Sequence, residues 1–194
     1  MGIAVLGPLR VDGDGASLSP RDRVVLETLA VRPGDVVSAE RLADALWADR
    51  VPTTWPKVVQ GCVVRLRKVL GAEAIETSPQ GYRLALPADD IDAGRFERLV
   101  RRSHELLVLG EHERAAYVSG EALSLWRGRP FSELDDWEAG RIEAGRLEEL
   151  RLDAEEVFID AALRAGRHRD VLGEAEARAA EAPLRERRWA LLAV

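Results

Sequence analysis

Along this chain apolar positions fall first in short runs broken by turn residues, then at helical three- and four-residue steps. Residues 3–6 and 9–11 are apolar runs separated by Gly7-Pro8, and Asp12-Gly13-Asp14-Gly15 makes a second turn. Residues 16–18 allow a third strand, so a small antiparallel sheet is expected. Ser19 before Pro20 marks a capped helix start. Val24, Val25, Leu26 and Leu29 carry that helix to a stop before Pro33-Gly34. Ser38 begins a second helix, with Leu42, Ala45, Leu46 and Trp47 on its apolar side. A third spans 54–70, with Thr54 as its N-cap, Pro56 in its first turn and Gly71 beyond its end. Residues 75–77 and 82–86 bracket Ser78-Pro79-Gln80-Gly81, which predicts a β-hairpin.

A short polar linker, 87–90, precedes a second half that reads as helical throughout. Phe96, Leu99, Val100, Leu106 and Leu107 stripe a helix ending near Gly110, and a second helix covers 111–126 until Arg127-Gly128-Arg129-Pro130 breaks it. Residues 136–165 predict one long helix or a kinked pair ending at Gly166. Helices at 168–182 and 184–194 follow, punctuated by Pro183. Antiparallel helix pairs of this length resemble tetratricopeptide repeats. The last one stops in mid-pattern at WALLAV, so further repeat helices are expected to follow.

The third helix changes the picture. Residues 50–72 hold Arg50, Lys57, Arg65, Arg67 and Lys68 and no acid, in a chain of net charge −6. Val59, Val63, Leu66 and Leu70 give it one apolar face, leaving Gln60, Arg65, Arg67 and Lys68 for the others. A helix that packs one side and offers Arg, Lys and Gln on another has the chemistry of a major-groove reader. A solvated cationic face has the same composition. Charge separates the halves. Residues 1–87 carry 11 Lys and Arg against 10 Asp and Glu, while 88–194 carry 17 against 24. Phosphate would be repelled by the second half, so any DNA site lies in the first.

Other chemistries find little support. The single cysteine, Cys62, excludes an internal disulfide and a multi-cysteine metal site, and its neighbours suggest a small packed residue. His104, His112 and His168 are scattered and lack metal-ligand spacing. No phosphate loop or nucleophile elbow is present, so an enzyme is not expected, nor a cofactor. No apolar run approaches a membrane span, and the start lacks a signal peptide's basic region, so a cytoplasmic location is expected.

Sheet, helix, helix, turn, basic helix and hairpin is the order of a winged helix-turn-helix with an N-terminal sheet. The segments VVSAERLADALW and VVQGCVVRLRKVLG, with the hairpin ending GYRL, resemble the OmpR/PhoB-type winged helix over residues 3–86. EALSLWRGRPFSEL, RLEELRLDAEEVFIDAALRAGRH and PLRERRWALL resemble the bacterial transcriptional activator domain. Together, residues 3–194 resemble the antibiotic regulatory protein (SARP) family of activators. The expected fold is an α+β winged helix-turn-helix at 1–87 followed by an all-α, tetratricopeptide-like domain at 88–194.

The resemblance implies an activator that binds direct repeats in double-stranded promoter DNA, pairs with a second copy there, and contacts RNA polymerase through its sigma factor and the alpha subunit's C-terminal domain. It implies base contacts from Val58, Gln60, Gly61 and Arg65. Arg65 suits guanine through its planar fork, and Gln60 suits adenine. Thr53, Thr54, Trp55, Lys57, Arg67 and Lys68 are expected at phosphates. The hairpin would be the wing, carrying Ser78, Gln80 and Arg83. Ser78 stands where the family often has an arginine, which departs from minor-groove reading. The rival expectations are a helical-repeat protein-interaction module and the front end of a larger signalling ATPase regulator.

Overall fold

The computed structural model describes residues 2–12, 18–48, 50–181 and 184–192. Among these lie five short strands and eight α-helices. β1 (Ile3–Ala4) and β2 (Arg10–Val11) pair antiparallel, with Ile3 opposite Val11. The strand expected at 16–18 falls largely outside the described residues, as do most of the turn at 12–15, Asp49 in the turn before the basic helix, Pro183 and the last two residues.

α1 (Pro20–Ala30) starts as the sequence requires, with the Ser19 hydroxyl accepting from the Asp22 N–H at 3.3 Å. α2 (Ala39–Trp47) is capped by Ser38, whose hydroxyl accepts from Arg41 N–H at 3.2 Å. α3 (Trp55–Leu70) follows, and Gly71 ends it at φ +96°. Thr54 occupies the cap position of α3 but makes no capping hydrogen bond, contrary to expectation; its φ/ψ of −85°/1° is not the extended conformation that points a cap hydroxyl at the helix. α1 packs on both α2 and α3, and Val25, Leu26, Leu29, Leu42, Val59 and Leu66 fill the space between them.

The hairpin is β4 (Ile75–Ser78) against β5 (Gly81–Leu84), and β5 also pairs with β3 (Val36–Val37), giving the order β3-β5-β4. β3 has only two residues and no pattern of its own; pairing with β5 makes it a strand. Gly81 is required there. Its φ is +148°, and a Cβ would stand 2.0 Å from the Val37 carbonyl oxygen.

Packing divides the chain differently from charge. One compact unit comprises 1–95 and 127–148, the other 96–126 and 149–194. Residues 87–90 are not a plain linker: Ala88–Asp90 forms a 3-10 turn, and buried Ile91 bridges to Ile3. Asp92, which opens α4 (Asp92–Val108), accepts from Val5 N–H at 2.6 Å and from Leu6 N–H at 3.1 Å. The same edge receives Arg127 N–H on Leu6 O at 2.8 Å and Phe131 N–H on Val5 O at 3.0 Å. Four backbone groups of the N-terminal segment are thus satisfied by residues beyond 90.

In the second unit α4 continues and is followed by α5 (His112–Ser124), the later part of α6 (Glu138–Arg164), α7 (His168–Glu181) and α8 (Glu186–Leu192). α6 is a single helix of 27 residues, not a kinked pair. Leu106, Ala115, Ala116, Ala161, Ala162 and Val171 form its core, where alanines let helices approach closely. Arg188 is buried, 1% exposed at its side chain, and is held by Glu155 at 2.7 Å. A buried guanidinium needs such a partner.

Candidate nucleic-acid interface

α3 supplies one polar and one apolar side from a single periodicity. Val59, Cys62, Val63, Leu66 and Leu70 are buried. Lys57, Gln60, Val64 and Lys68 are exposed and recur at steps of three or four, so they share a face with half-buried Gly61. Among the described residues Lys57 and Lys68 make no ion pair. Val58 is half-buried, toward the apolar side.

The arginines are engaged. Arg65 donates from Nε at 3.1 and 3.0 Å and from Nη2 at 2.7 Å to the carboxylate of Asp22, in the first turn of α1. Asp22 is 4% exposed at its side chain and Arg65 51%. Burial pushes the Asp22 carboxyl up, but hydrogen bonds from Arg65, Ser19 and Cys62 outweigh it and hold it below its usual value. Burial, reinforced by Asp22, raises the Cys62 thiol to about 11, so Cys62 is a packed, protonated residue.

Arg67 donates from Nε at 2.8 Å and Nη2 at 2.6 Å to Ile75 O, and from Nη2 to the Thr77 hydroxyl at 2.8 Å. It ties α3 to the hairpin. Arg83 pairs with Glu76 directly across the two strands. All three arginines expected at DNA therefore have intramolecular partners, and each can meet DNA without releasing them only through the N–H groups they leave over. The sequence could not reveal this, because the partners lie up to 43 residues away.

At the start of α3, Thr53 and Thr54 are exposed and Trp55 is half-buried. Trp55 N–H is taken by Pro52 O at 3.0 Å, and Pro56 has none, so the helix start offers fewer free donors than a typical first turn. At the hairpin tip Ser78 accepts from Gln80 N–H at 3.1 Å, while the Gln80 side chain is exposed. Val64, 46% exposed on the face of Lys57 and Lys68, is not among the residues expected at DNA. The signal was present: valine stands four residues after Gln60 and four before Lys68.

Among the described residues no helix is long and apolar enough to cross a membrane, and no group of three His, Cys, Asp or Glu could hold a metal. Comparison with known proteins finds two family models. One described as "Transcriptional regulatory protein, C terminal" matches residues 13–84, and one described as "Bacterial transcriptional activator domain" matches residues 91–194. The chain is 33% identical over 98% of its length to the regulatory protein DnrI of Streptomyces peucetius, covering 75% of that protein. It is 31% identical over 97% of its length to the transcriptional regulatory protein EmbR of Mycobacterium tuberculosis, spanning about half of it, 51%. The solved structure of Mycobacterium tuberculosis EmbR in complex with a low affinity phosphopeptide superposes with a TM-score of 0.91 at 30% identity, over 98% of this chain and 53% of that one.

Proposed function

Because the chain belongs to the antibiotic regulatory protein (SARP) family of transcriptional regulators, we propose that it is a sequence-specific activator that lays α3 in the major groove of promoter DNA. The observation that carries this reading is the exposed face of α3, where Lys57, Gln60, Val64 and Lys68 line one side of a helix whose other side is core. Lys57 and Lys68, with Thr53, Thr54, Trp55 and Arg67, position the helix on phosphates. Gln60 and Gly61 face base edges, while Val58 stands at the margin of that face and Arg65 is held beside it by Asp22. The hairpin, fixed to α3 by Arg67, lies against the flanking backbone.

Residues 1–87 form the DNA-binding part and 88–194 the activating part, which recruits RNA polymerase through sigma and the alpha C-terminal domain. Two copies sit side by side on a direct repeat, in the cytoplasm. The target genes are those of secondary-metabolite clusters. Exposed Val108, Leu109 and Tyr117 in the helical unit support a protein-facing role for it.

The test is a salt titration of duplex binding. Affinity should fall steeply as salt rises. Lys57→Ala and Lys68→Ala should each lower the slope of log affinity against log salt by about one, at nearly equal cost on all sequences. A folded protein with no measurable DNA affinity at low salt refutes the reading.

A further inference from the structure

The face that α3 offers to DNA has an apolar centre. Lys57, Gly61, Val64 and Lys68 follow one another at steps of four, three and four, so they form a single stripe along the helix. Val64, 46% exposed, is the apolar side chain on it, and the turn before it presents glycine. Gly61 adds no side chain that would screen Val64.

The neighbouring arginine does not supply a guanine fork there. Arg65 has Nε and Nη2 on Asp22, which is itself buried and bonded to Ser19 at 2.7 Å. Its remaining nitrogen, Nη1, lies over Gly61, 3.3 Å from where a Cβ would stand. Only Nη1 is left free, because Nη2 already donates to both Asp22 and Cys62 Sγ, whereas reading guanine at both O6 and N7 takes a fork of two nitrogens.

A β-branched apolar residue between two lysines has one complementary feature in the major groove, the C5-methyl group of thymine. Taking α3 as the recognition helix, as above, we propose that Val64 reads a thymine methyl and sets base preference at the centre of each half-site. Arg65 acts as a positioning residue that keys α3 to α1 through Asp22. The contact is dry and small, and its worth is that of one methyl group withdrawn from water, about fourfold in affinity.

The experiment starts from a duplex recovered by selection with the wild-type protein. Each thymine of the bound half-site is replaced in turn by deoxyuridine, which removes the methyl and leaves base pairing intact. Binding is measured for wild type and Val64→Ala; alanine at an exposed helix position leaves the fold in place. Wild type should lose about fourfold at one thymine, and Val64→Ala should bind the thymine duplex about fourfold more weakly and be indifferent to the replacement. If wild type binds the selected duplex but no replacement matters, or if Val64→Ala keeps the same sensitivity, the assignment of Val64 is overturned and the DNA reading stands. If wild type recovers no sequence at all, the DNA reading falls and the assignment with it.

Discussion

Replacing Arg65 by Ala, Asp22 by Ala, and both together measures how firmly the recognition helix is keyed to the domain. The guanidinium makes three contacts of 2.7 to 3.1 Å with a carboxylate that is 4% exposed, while Arg65 itself is half-exposed. A charge-assisted bond of this kind is worth about 1.5–3 kcal/mol when both partners are dry, and less when one faces solvent. We expect a coupling of about 1–2 kcal/mol, seen as a double variant less destabilised than the sum of the two single ones. In a protein of this size each kcal/mol shifts the midpoint by roughly 2–4 °C, so Arg65→Ala melts several degrees lower. The pH dependence has a definite sign. The folded carboxyl of Asp22 lies below its ordinary 3.8, so the coupling is fully present above that value and is lost as pH falls through the folded one. Urea unfolding of the four proteins at pH 7 and again near pH 3 is the assay. Effects that add within about 0.5 kcal/mol at pH 7 refute the idea that Asp22 holds Arg65.

Three further outcomes follow from the same geometry. Glu27 is fully buried, accepts from Glu133 N–H at 2.9 Å and leaves Oε1 without a partner among the described residues. Burial raises it to about 8, so stability is greatest below the ordinary 4.5 and declines as pH rises through 8. Glu27→Gln should match wild type near pH 5 and exceed it above pH 8, by on the order of a few kcal/mol in chemical denaturation; parallel pH profiles would contradict this. Asp92→Ala strips the acceptor from Val5 and Leu6 N–H, costing about 1–3 kcal/mol, and should speed amide exchange at those two positions more than Asp92→Asn does; unchanged exchange would refute it. Gly61→Ala should raise helix stability by about 0.5–1 kcal/mol while weakening DNA binding, because the added methyl meets Arg65 and stands on the exposed face; tighter binding would contradict the placement of that face.

Local chemistry made the first unit's helices legible. Ser19-Pro20 and Ser38 act as caps within three residues of themselves, and the spacing of Val59, Val63, Leu66 and Leu70 assigns the buried side of α3 without reference to anything else. Gly71 and the Ser78-Pro79-Gln80-Gly81 turn are equally local. What stayed hidden depends on distance along the chain. Val36-Val37 is a strand only because β5 reaches it with a glycine at the crossing. Residues 127–148 join the first unit because Arg127 and Phe131 find Leu6 and Val5 more than a hundred positions earlier. In the candidate site, periodicity left Gln60, Arg65, Arg67 and Lys68 outside the apolar face, and Gln60 and Lys68 do stand outward. It could not show that Arg65, Arg67 and Arg83 bond within the protein, nor that Val64 stands among the exposed residues.

If the outward face of α3 reads sequence, the protein must choose among duplexes. Selection of bound duplexes from random DNA at about 150 mM salt, where weak phosphate-only binding is suppressed, tests it most directly. Wild type should enrich a spaced direct repeat, and that enrichment should be lost when Gln60 and Val64 are both changed to Ala in a protein that still melts cooperatively. Enrichment that survives this double change, or a folded wild type that enriches nothing, would contradict it.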